Sequence, residues 1–313
     1  MIEIRTVHER QKWTLEQKID HAVGTVEAFI ARTGKTPYVS FSGGKDSTVL
    51  LDLVRRFVDP KIKAVFCNTG NEFPEIVEFV KTRDNVTIIT PRVSIRKVIE
   101  KYGFPLLSKE TAQCIRQAKT TKSEKLLNIR LHGSDPEKGL TCGKIANKWQ
   151  FLIKEPFMIS EQCCEILKKR PFKRYQRDTG EVPILGVMAA ESRIRMQQYI
   201  RRGGCNSFKD NHTASYPLSI WTDEDVYAYL KKFNVPYCKL YDDPRCSRTG
   251  CMFCGFGAHL EKLSRFAFLY ELHPKAYEVF MRYENNGVTY REALRRIGVY
   301  LPDEDRQLKF NFE

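Results

Sequence analysis

The chain has 313 residues and a formal net charge of +14. Its hydrophobic content of 42% is enough for one large or two smaller packed domains. Its first residues, MIEIRTVHER, are charged, and no run approaches the roughly 18 apolar residues of a membrane span, so we expect a cytoplasmic protein without a membrane partner. In a reducing compartment, the ten cysteines indicate metal or redox chemistry rather than a disulfide framework.

Helix-like and strand-like segments alternate from the start of the chain. Helices are predicted over 15–31, 46–58 and 74–83, and strands over 37–42, 61–67, 86–90 and 182–188. This rhythm predicts an α/β fold, a parallel sheet with helices on both faces that binds its ligand beyond the carboxyl ends of the strands. A polar, mostly helical insertion covers 103–155, and further helices are predicted over 260–270, 274–285 and 290–297. We expect a nucleotide-binding domain over 1–235 and a Cys-rich, helical C-terminal region over 236–313.

The most informative segment follows the first predicted strand. Its glycines let the backbone approach an anion closely, its lysine adds positive charge, and the amides that open the next helix point at the same place. The spacing does not fit the Walker pattern. The alternative is a Gly-rich turn capped by Asp46 or Ser47. The predicted phosphate-binding residues are Ser42, Gly43, Gly44, Lys45, Asp46 and Ser47.

This segment resembles the Ser-Gly-Gly-x-Asp-Ser loop of PP-loop ATP pyrophosphatases, which cleave ATP between its α and β phosphates. The stretch AVFCNTGNEFPE, which begins at Ala64, is similar to the Asp-Thr-Gly-x-x-Phe-Pro-Glu motif of phosphoadenylyl-sulfate and adenylyl-sulfate reductases, with Asn68 in place of Asp. The helix led by Trp221 and the turn Leu240-Tyr-Asp also resemble that family. The resemblance covers residues 36 to 260 without the insertion and implies an adenine nucleotide alpha hydrolase-like fold.

The resemblance also implies further site residues. Asn68, Thr69 and Gly70 would lie beside the adenosine. Arg193 and Arg195, in the segment MAAESRIR, would lie near phosphate or sulfate oxygens, although surface ion pairs are the alternative for these arginines. The implied ligand is an adenine nucleotide, either ATP with Mg²⁺ or adenylyl sulfate or phosphoadenylyl sulfate.

The cysteines show a second pattern. Cys163 and Cys164 are adjacent, and Cys251 and Cys254 form a C-x-x-C pair. Iron-sulfur adenylyl-sulfate reductases hold a [4Fe-4S] cluster with the same arrangement, and the resemblance implies such a cluster here, because thiolates suit iron-sulfur ligation. Cys246 is a fifth candidate ligand, so the ligand set stays open. Structural zinc is the alternative, for which two C-x-x-C knuckles are typical.

Three functional hypotheses follow. In the first, Lys45 stabilises charge on the phosphates of MgATP, Asp46 is a Mg²⁺ ligand or a helix cap, and sulfur displaces AMP from an adenylylated acceptor. The acceptor would be nucleic acid, DNA or tRNA, bound by the basic stretch 168–174 and the tail helices, with a cysteine desulfurase or another sulfur donor as partner.

The second hypothesis is a phosphoadenylyl-sulfate or adenylyl-sulfate reductase. Those enzymes carry a nucleophilic cysteine in a C-terminal Glu-Cys-Gly-x-His, whereas no cysteine follows Cys254 in this sequence. That difference favours sulfur transfer over sulfate reduction. The third hypothesis is a non-catalytic sensor of nucleotide or nucleic acid.

Overall fold

The computed structural model describes residues 3–135, 137–209, 212–246, 249–261 and 264–302. The chain forms two compact units, each made of separate stretches. Unit 1 comprises Met1–Asn68, Glu72–Thr90 and Pro171–Thr249, and unit 2 comprises Thr69–Asn71, Pro91–Arg170 and Gly250–Glu313. This division differs from the predicted boundary at residue 235, because the helical insertion packs with the C-terminal helices. The last eleven residues, on which the expectation about the tail rests, lie outside the described part.

The helices and strands have the following bounds. The strands are β1 Pro37–Ser40, β2 Lys63–Cys67, β3 Val86–Ile89, β4 Leu106–Leu107, β5 Val182–Leu185, β6 Asn206–Ser207, β7 Ala214–Ser215, β8 Gly255–Phe256, β9 Glu284–Asn285 and β10 Val288–Thr289. The helices are α1 Ile4–Gln11, α2 Leu15–Thr33, α3 Lys45–Phe57, α4 Pro74–Lys81, α5 Ile95–Tyr102, α6 Lys109–Thr120, α7 Glu124–His132, α8 Gln162–Cys164, α9 Arg170–Thr179, α10 Arg193–Arg202, α11 Asp223–Lys232, α12 Arg265–Leu272, α13 Pro274–Met281 and α14 Tyr290–Arg296.

Unit 1 contains a sheet with the strand order β3-β2-β1-β5-β7-β6. All its pairings are parallel except that of β6 with β7. Strands β1 and β2 bury nearly continuous apolar runs, which is typical of central parallel strands covered on both faces. The predicted α/β fold is confirmed.

Unit 2 is built around the predicted insertion, which is mostly helical as expected. Strand β4 pairs in parallel with β8, and this pairing joins the insertion to the segment that follows the C-x-x-C pair. The fully buried Tyr290 packs against the rings of Phe104, Phe253 and Phe266 at centroid distances of 5.2, 6.2 and 6.1 Å. These rings form an aromatic core behind the C-x-x-C loop.

One predicted helix extends too far. The prediction of helix over 274–285 is wrong at its end, because α13 stops at Met281 and β9 pairs with β10 in an antiparallel hairpin. Asn286 and Gly287 form the turn with φ of +51° and +77°, and an Asn-Gly pair with two positive φ angles is a strong hairpin signal. In the described part of the chain, no helix has the length and apolar character that crossing a membrane requires.

Candidate functional site

The glycine loop, residues 42–47, connects the end of β1 to the first turn of α3. Gly43 has a φ of +73°, and a Cβ at this position would lie 2.8 Å from Ile76 Cγ2 and 2.9 Å from Val80 Cγ2. Because L side chains rarely adopt this φ and helix α4 leaves no space, the position requires glycine. The predicted close turn from strand to helix is therefore present.

Two serine hydroxyls hold the shape of the glycine loop. The Oγ atoms of Ser42 and Ser47 lie 3.0 Å apart, and the backbone N–H of Ser42 donates to Ser47 Oγ at 3.1 Å. Ser47 Oγ donates to the carbonyl of Gly44 at 2.9 Å. Because these bonds order the loop in advance, an anion that binds to its backbone amides loses less free energy to loop ordering.

Lys45 is buried and paired with two carboxylates. Its side chain is 4% exposed, and Nζ donates to Asp223 Oδ1 at 2.5 Å and to Asp46 Oδ1 at 2.8 Å. Burial lowers the pKa of Lys45, but the hydrogen bonds to Asp223 and Asp46 outweigh it, and the pKa is raised overall. The sequence did not predict Asp223 as a site residue, since nothing in its spacing relates the first turn of α11 to the loop.

Asp46 lies in a cluster of acidic side chains. Burial raises its pKa, the Lys45 ammonium opposes this, and the negative charges of Glu191 and Asp223 raise the pKa further. Mg²⁺ prefers oxygen ligands and is usually held by one or two carboxylates together with substrate phosphates. Asp46 has a suitable carboxylate, which pairs with Lys45 here, and its role as a Mg²⁺ ligand stays a prediction.

Tyr241 and Thr249 close one side of the glycine loop, and the sequence did not predict either as a site residue. Their side-chain oxygens lie 2.6 Å apart, and a Cβ at Gly44 would lie 2.9 Å from Tyr241 Oη. The second glycine of the loop is therefore needed to leave room for a tyrosine. The motif Leu240-Tyr-Asp contained this signal, but only as a family resemblance.

The arginine-bearing segment leads into α10. Glu191 Oε1 accepts from the backbone N–H of Met188 at 3.0 Å, and Ser192 Oγ caps the helix by accepting from Arg195 N at 3.3 Å. Arg195 Nε lies 3.4 Å from Glu191 Oε2, whereas Arg193 is exposed. Arg195 thus takes part in the ion pair considered as the alternative, and a phosphate-binding role for both arginines stays a prediction.

The three predicted adenosine-binding residues divide between the two units. The backbone N–H of Asn68 donates to the carbonyl of Ile89 at 2.9 Å, so Asn68 extends the pairing of β2 with β3 in unit 1. Thr69 and Gly70 belong to unit 2, where Asn71 Nδ2 donates to Thr69 Oγ1 at 3.1 Å. Contact of these residues with adenosine stays a prediction.

Four of the five predicted ligand cysteines lie in unit 2, and we call them the cysteine cluster: Cys163, Cys164, Cys251 and Cys254. The thiols of Cys163 and Cys164 are hydrogen-bonded to each other, and this bond and burial raise the pKa of Cys163. The charges of Cys254 and Cys251 raise this pKa further. The fold therefore brings the vicinal pair and the C-x-x-C pair into one neighbourhood.

The fifth candidate, Cys246, lies in unit 1. Burial raises the pKa of its thiol, as do the charges of Cys238 and Asp243, which belong to the same unit. Its neighbours in unit 1 are therefore another cysteine and a carboxylate. Whether Cys246 contributes to a cluster stays a prediction.

Positive charge surrounds the cysteine cluster. The hydrogen bond with Cys163 lowers the pKa of Cys164, burial opposes this, and Lys109 and Lys168 lower the pKa further. Burial raises the pKa of Cys254, and the Arg265 guanidinium opposes that rise. Cations beside thiols favour thiolates and offset the negative charge of thiolate-ligated iron-sulfur groups.

The segments that carry the cysteine cluster are fixed by backbone contacts. Tyr290 Oη donates to the carbonyl of Phe253 at 2.7 Å, and Arg265 Nη1 donates to the carbonyl of Cys254 at 3.1 Å. Directly after Cys164, the chain forms a π-helical turn, Glu165–Lys169. Such turns are rare and occur frequently at functional sites.

The chemistry of the four thiols fits an iron-sulfur cluster, since thiolates are the usual ligands of [4Fe-4S] groups. In the described ranges, no three or more His, Cys, Asp or Glu side chains form a group that could hold a metal ion. The ligand set is therefore still a prediction that rests on the type, proximity and charged surroundings of these cysteines.

Residues 36–128 and 104–255 match the model of the phosphoadenosine phosphosulfate reductase domain family. The chain belongs to this family. An adenosine 5'-phosphosulfate reductase of Staphylococcus haemolyticus is 34% identical over 71% of this chain and 71% of its own length. The glycine loop, the acidic cluster around Lys45 and the cysteine cluster are thus features of a member of this enzyme family.

Two uncharacterised proteins of Methanocaldococcus jannaschii are also similar to the chain. One is 27% identical over 86% of this chain, but the match covers 49% of that protein, and the match to the other covers 39%. The chain therefore spans half or less of these archaeal relatives. The crystal structure of a phosphoadenylyl-sulfate reductase from Candida auris aligns over 80% of this chain and 96% of that one, with a TM-score of 0.42 and 13% identity.

Proposed function

We propose that this chain activates an acceptor with ATP for sulfur transfer and that the acceptor is nucleic acid. The proposal is supported by one combination: a preordered glycine loop with a buried lysine and carboxylates, and a cluster of four thiols among cations. The first arrangement suits adenylyl chemistry on a magnesium nucleotide, and the second suits sulfur chemistry.

In the first half-reaction, an oxygen of the acceptor attacks the α-phosphorus of ATP. The bond from this phosphorus to the oxygen that bridges the α and β phosphates breaks, which leaves pyrophosphate and an adenylylated acceptor. Lys45 and the first amides of α3 stabilise the negative charge that builds up on the phosphates. Asp46 would hold Mg²⁺, which neutralises charge on the phosphate oxygens.

In the second half-reaction, sulfide attacks the acceptor atom that carries the adenylyl group. The bond from that atom to its oxygen breaks, AMP leaves with the oxygen, and sulfur takes its place without a net redox change. A sulfide donor would supply the sulfide directly, or a cysteine desulfurase would supply a persulfide from which a thiol reductant releases sulfide as the thiols are oxidised to a disulfide. The cysteine cluster would hold a [4Fe-4S] group, which supplies a site for sulfur binding when it is present.

The charge of the chain supports a polyanionic acceptor. The net charge is +14, and the basic stretch 168–174 has exposed side chains at Lys169, Arg170 and Lys173. Lysine and arginine side chains on a basic protein contact nucleic acid mainly through its phosphates. DNA and tRNA both fit this description.

Reduction of adenylyl sulfate or phosphoadenylyl sulfate is the second candidate. The family match and the 34% identity to the Staphylococcus haemolyticus reductase favour it. In that reaction the glycine loop would bind the phosphate of the sulfonucleotide. A thiolate would attack the sulfur, the bond from sulfur to the bridging phosphate oxygen would break, and the nucleotide would leave. Sulfite would then be released in the presence of a thiol donor.

Product analysis separates these candidates. Chain purified without oxygen is incubated with ATP labelled at the α-phosphorus, or with ³⁵S-labelled adenylyl sulfate, with and without single-stranded DNA, tRNA and a sulfide source. We expect AMP and pyrophosphate from ATP, stimulated by nucleic acid, and no sulfite. Sulfite with a thiol donor would establish the reductase instead. The absence of all these products would leave the non-catalytic sensor.

A further inference from the structure

A short 3₁₀ segment of unit 2, Asn147–Ile153, presents aromatic side chains at the surface. Phe151 is 43% exposed, and its ring centroid lies 6.5 Å from that of the half-buried Trp149. His259 meets Trp149 edge-on at 5.3 Å, and Leu260 beside it is 75% exposed. We call these four residues, Trp149, Phe151, His259 and Leu260, the aromatic patch.

The segment is anchored, so the exposure of its rings does not come from a loose loop. Leu152 is fully buried and ties the segment to the core of unit 2. Gln150 Nε2 donates to the carbonyls of Leu131 at 2.8 Å and Ile145 at 3.1 Å. Exposed Phe151 and Leu260 beside the half-buried Trp149 indole form an anchored apolar surface, and such surfaces are typical of binding sites.

The surroundings of the aromatic patch are positive. Lys148 and Lys154 are exposed, and the ammonium of Lys148 lies 5.0 Å from the centroid of the Trp149 indole. The acidic side chains on the same segments are each neutralised by an arginine, in the pairs Glu155 with Arg296 at 2.7 Å and Glu261 with Arg265 at 2.8 Å. The free charge beside the rings is therefore that of lysine.

We infer that the aromatic patch is a stacking surface for unpaired bases of single-stranded nucleic acid. The inference rests on the proposed function for the nature of the acceptor and deepens it by stating which form of nucleic acid binds. Bases stack on exposed aromatic rings whatever their sequence, and neighbouring lysines contact the phosphates. The patch and the cysteine cluster are both in unit 2, and His259 follows Cys254 closely in the chain.

Binding of a labelled single-stranded oligonucleotide of about 15 nucleotides to the full chain tests the inference, with the same sequence as a duplex for comparison. We expect Phe151→Ala to raise the Kd for the single strand about tenfold, a size typical of losing one stacked base, and to leave duplex binding unchanged. Phe57→Ala is the matched control, because Phe57 is 41% exposed on α3 in unit 1.

A second variant separates stacking from charge. Lys148→Gln should reduce the slope of log K against log salt concentration by about 0.7, the value for one phosphate contact on a single strand. Phe151→Ala should leave that slope unchanged, and Lys35→Gln, at an exposed position of unit 1, should leave both affinity and slope unchanged. Because Lys148 is exposed, its replacement does not disturb the packing of unit 2.

The outcomes distinguish the aromatic patch from the proposed function. If Phe151→Ala and Lys148→Gln both bind the single strand like the unmodified chain, the inference is overturned, even if ATP is converted to pyrophosphate with nucleic acid present. If both variants bind more weakly as expected while no pyrophosphate forms from ATP, the aromatic patch stands and the sulfur-transfer proposal fails. No measurable binding of any single strand also overturns the inference.

Discussion

At the scale of single residues, the charge arrangement around Lys45 is the central feature of the nucleotide site. The buried ammonium is held by Asp223 and Asp46, so it is already desolvated and oriented at the start of α3. Charged donors that are ordered in advance contribute most when negative charge develops during a reaction.

We predict that Lys45→Ala lowers kcat for pyrophosphate release from ATP by about 10²-fold, the cost typical of one lost donor to a developing charge. Glu224→Gln is the matched control, since this exposed residue follows Asp223 on α11 and should keep the rate within about twofold. The measurement is the initial rate of pyrophosphate formation. An undiminished rate in Lys45→Ala would exclude this role.

A second prediction concerns the pH dependence of stability and rests on His21. Burial lowers the pKa of His21, and the positive charge of Arg10 lowers it further, from an ordinary value of 6.5. The unfolded chain therefore binds this proton more readily than the folded chain. The stability that neutral His21 contributes is fully present above pH 6.5 and is lost as the pH falls through the lower pKa of the folded state.

We expect His21→Gln to flatten the fall in Tm between about pH 7 and pH 5, because the variant lacks the group whose pKa differs between the two states. Replacement of the exposed His8 by Gln is the control. Melting curves at a series of pH values make the comparison. A His21→Gln profile that parallels that of the unmodified chain would contradict the assignment.

At the scale of elements, Gly43 in the glycine loop and Gly24 in helix α2 should respond in opposite ways to replacement by alanine. Gly43→Ala is expected to lower the free energy of unfolding by about 1–3 kcal/mol, because of its positive φ and its contacts with α4. Gly24→Ala, within α2 and with no atom within 4 Å of an added Cβ, is expected to raise it by about 0.5–1 kcal/mol. Urea unfolding of both variants checks these signs, and equal shifts would contradict the strain at Gly43.

A buried ion pair joins helices α2 and α11. Lys18 is 2% exposed, and its Nζ donates to Asp225 Oδ2 at 2.6 Å. The same carboxylate accepts from the backbone N–H of Thr222 at 2.7 Å and so caps α11, whose first residue, Asp223, holds Lys45. The pair therefore helps to position a residue of the nucleotide site.

We predict that Lys18→Ala lowers the free energy of unfolding by about 3 kcal/mol, because it leaves the carboxylate of Asp225, only 14% exposed, without its cation. Lys35→Ala, at an exposed position, should change this free energy by less than about 0.5 kcal/mol. Denaturant titrations give both values. A loss in Lys18→Ala no larger than that in Lys35→Ala would show that solvent replaces the partner.

At the scale of the whole molecule, the chain returns to unit 2 twice after leaving it, and the cysteine cluster depends on that path. Cys163 and Cys164 lie on α8, shortly after the insertion, while Cys251 and Cys254 lie directly before β8. The pairing of β4 with β8 links these parts of the chain.

We predict that Cys164→Ala and Cys251→Ala each remove most of the iron and acid-labile sulfide from chain purified without oxygen, because each takes away one thiolate ligand. Cys142→Ala is the control, since this cysteine is exposed in the same unit. Cys246→Ala tests the fifth candidate. Iron, sulfide and visible absorbance per chain are measured, and unchanged values in both Cys164→Ala and Cys251→Ala would rule out the cluster.

Local sequence was sufficient wherever neighbours along the chain decide the structure. The glycine loop was predicted because two glycines and a lysine between an apolar strand and an amphipathic helix leave few conformations. The end of α13 was missed although Asn286-Gly287 carried the hairpin signal. Asp223, Tyr241 and Thr249 were missed because side chains far apart in sequence meet at the loop only after folding.

The sequence by itself determined the α/β class, the position of the glycine loop, and the spacing of the adjacent cysteines and of the C-x-x-C pair. Each of these depends on short-range spacing and residue type. Only the tertiary structure decided that Lys45 binds Asp223 and that the insertion packs with the C-terminal helices. It also decided that Cys246 lies in a different unit from the other four candidate cysteines. The physical reason is that burial, strand pairing and charge contacts between distant segments are set by packing in three dimensions, which no local pattern encodes.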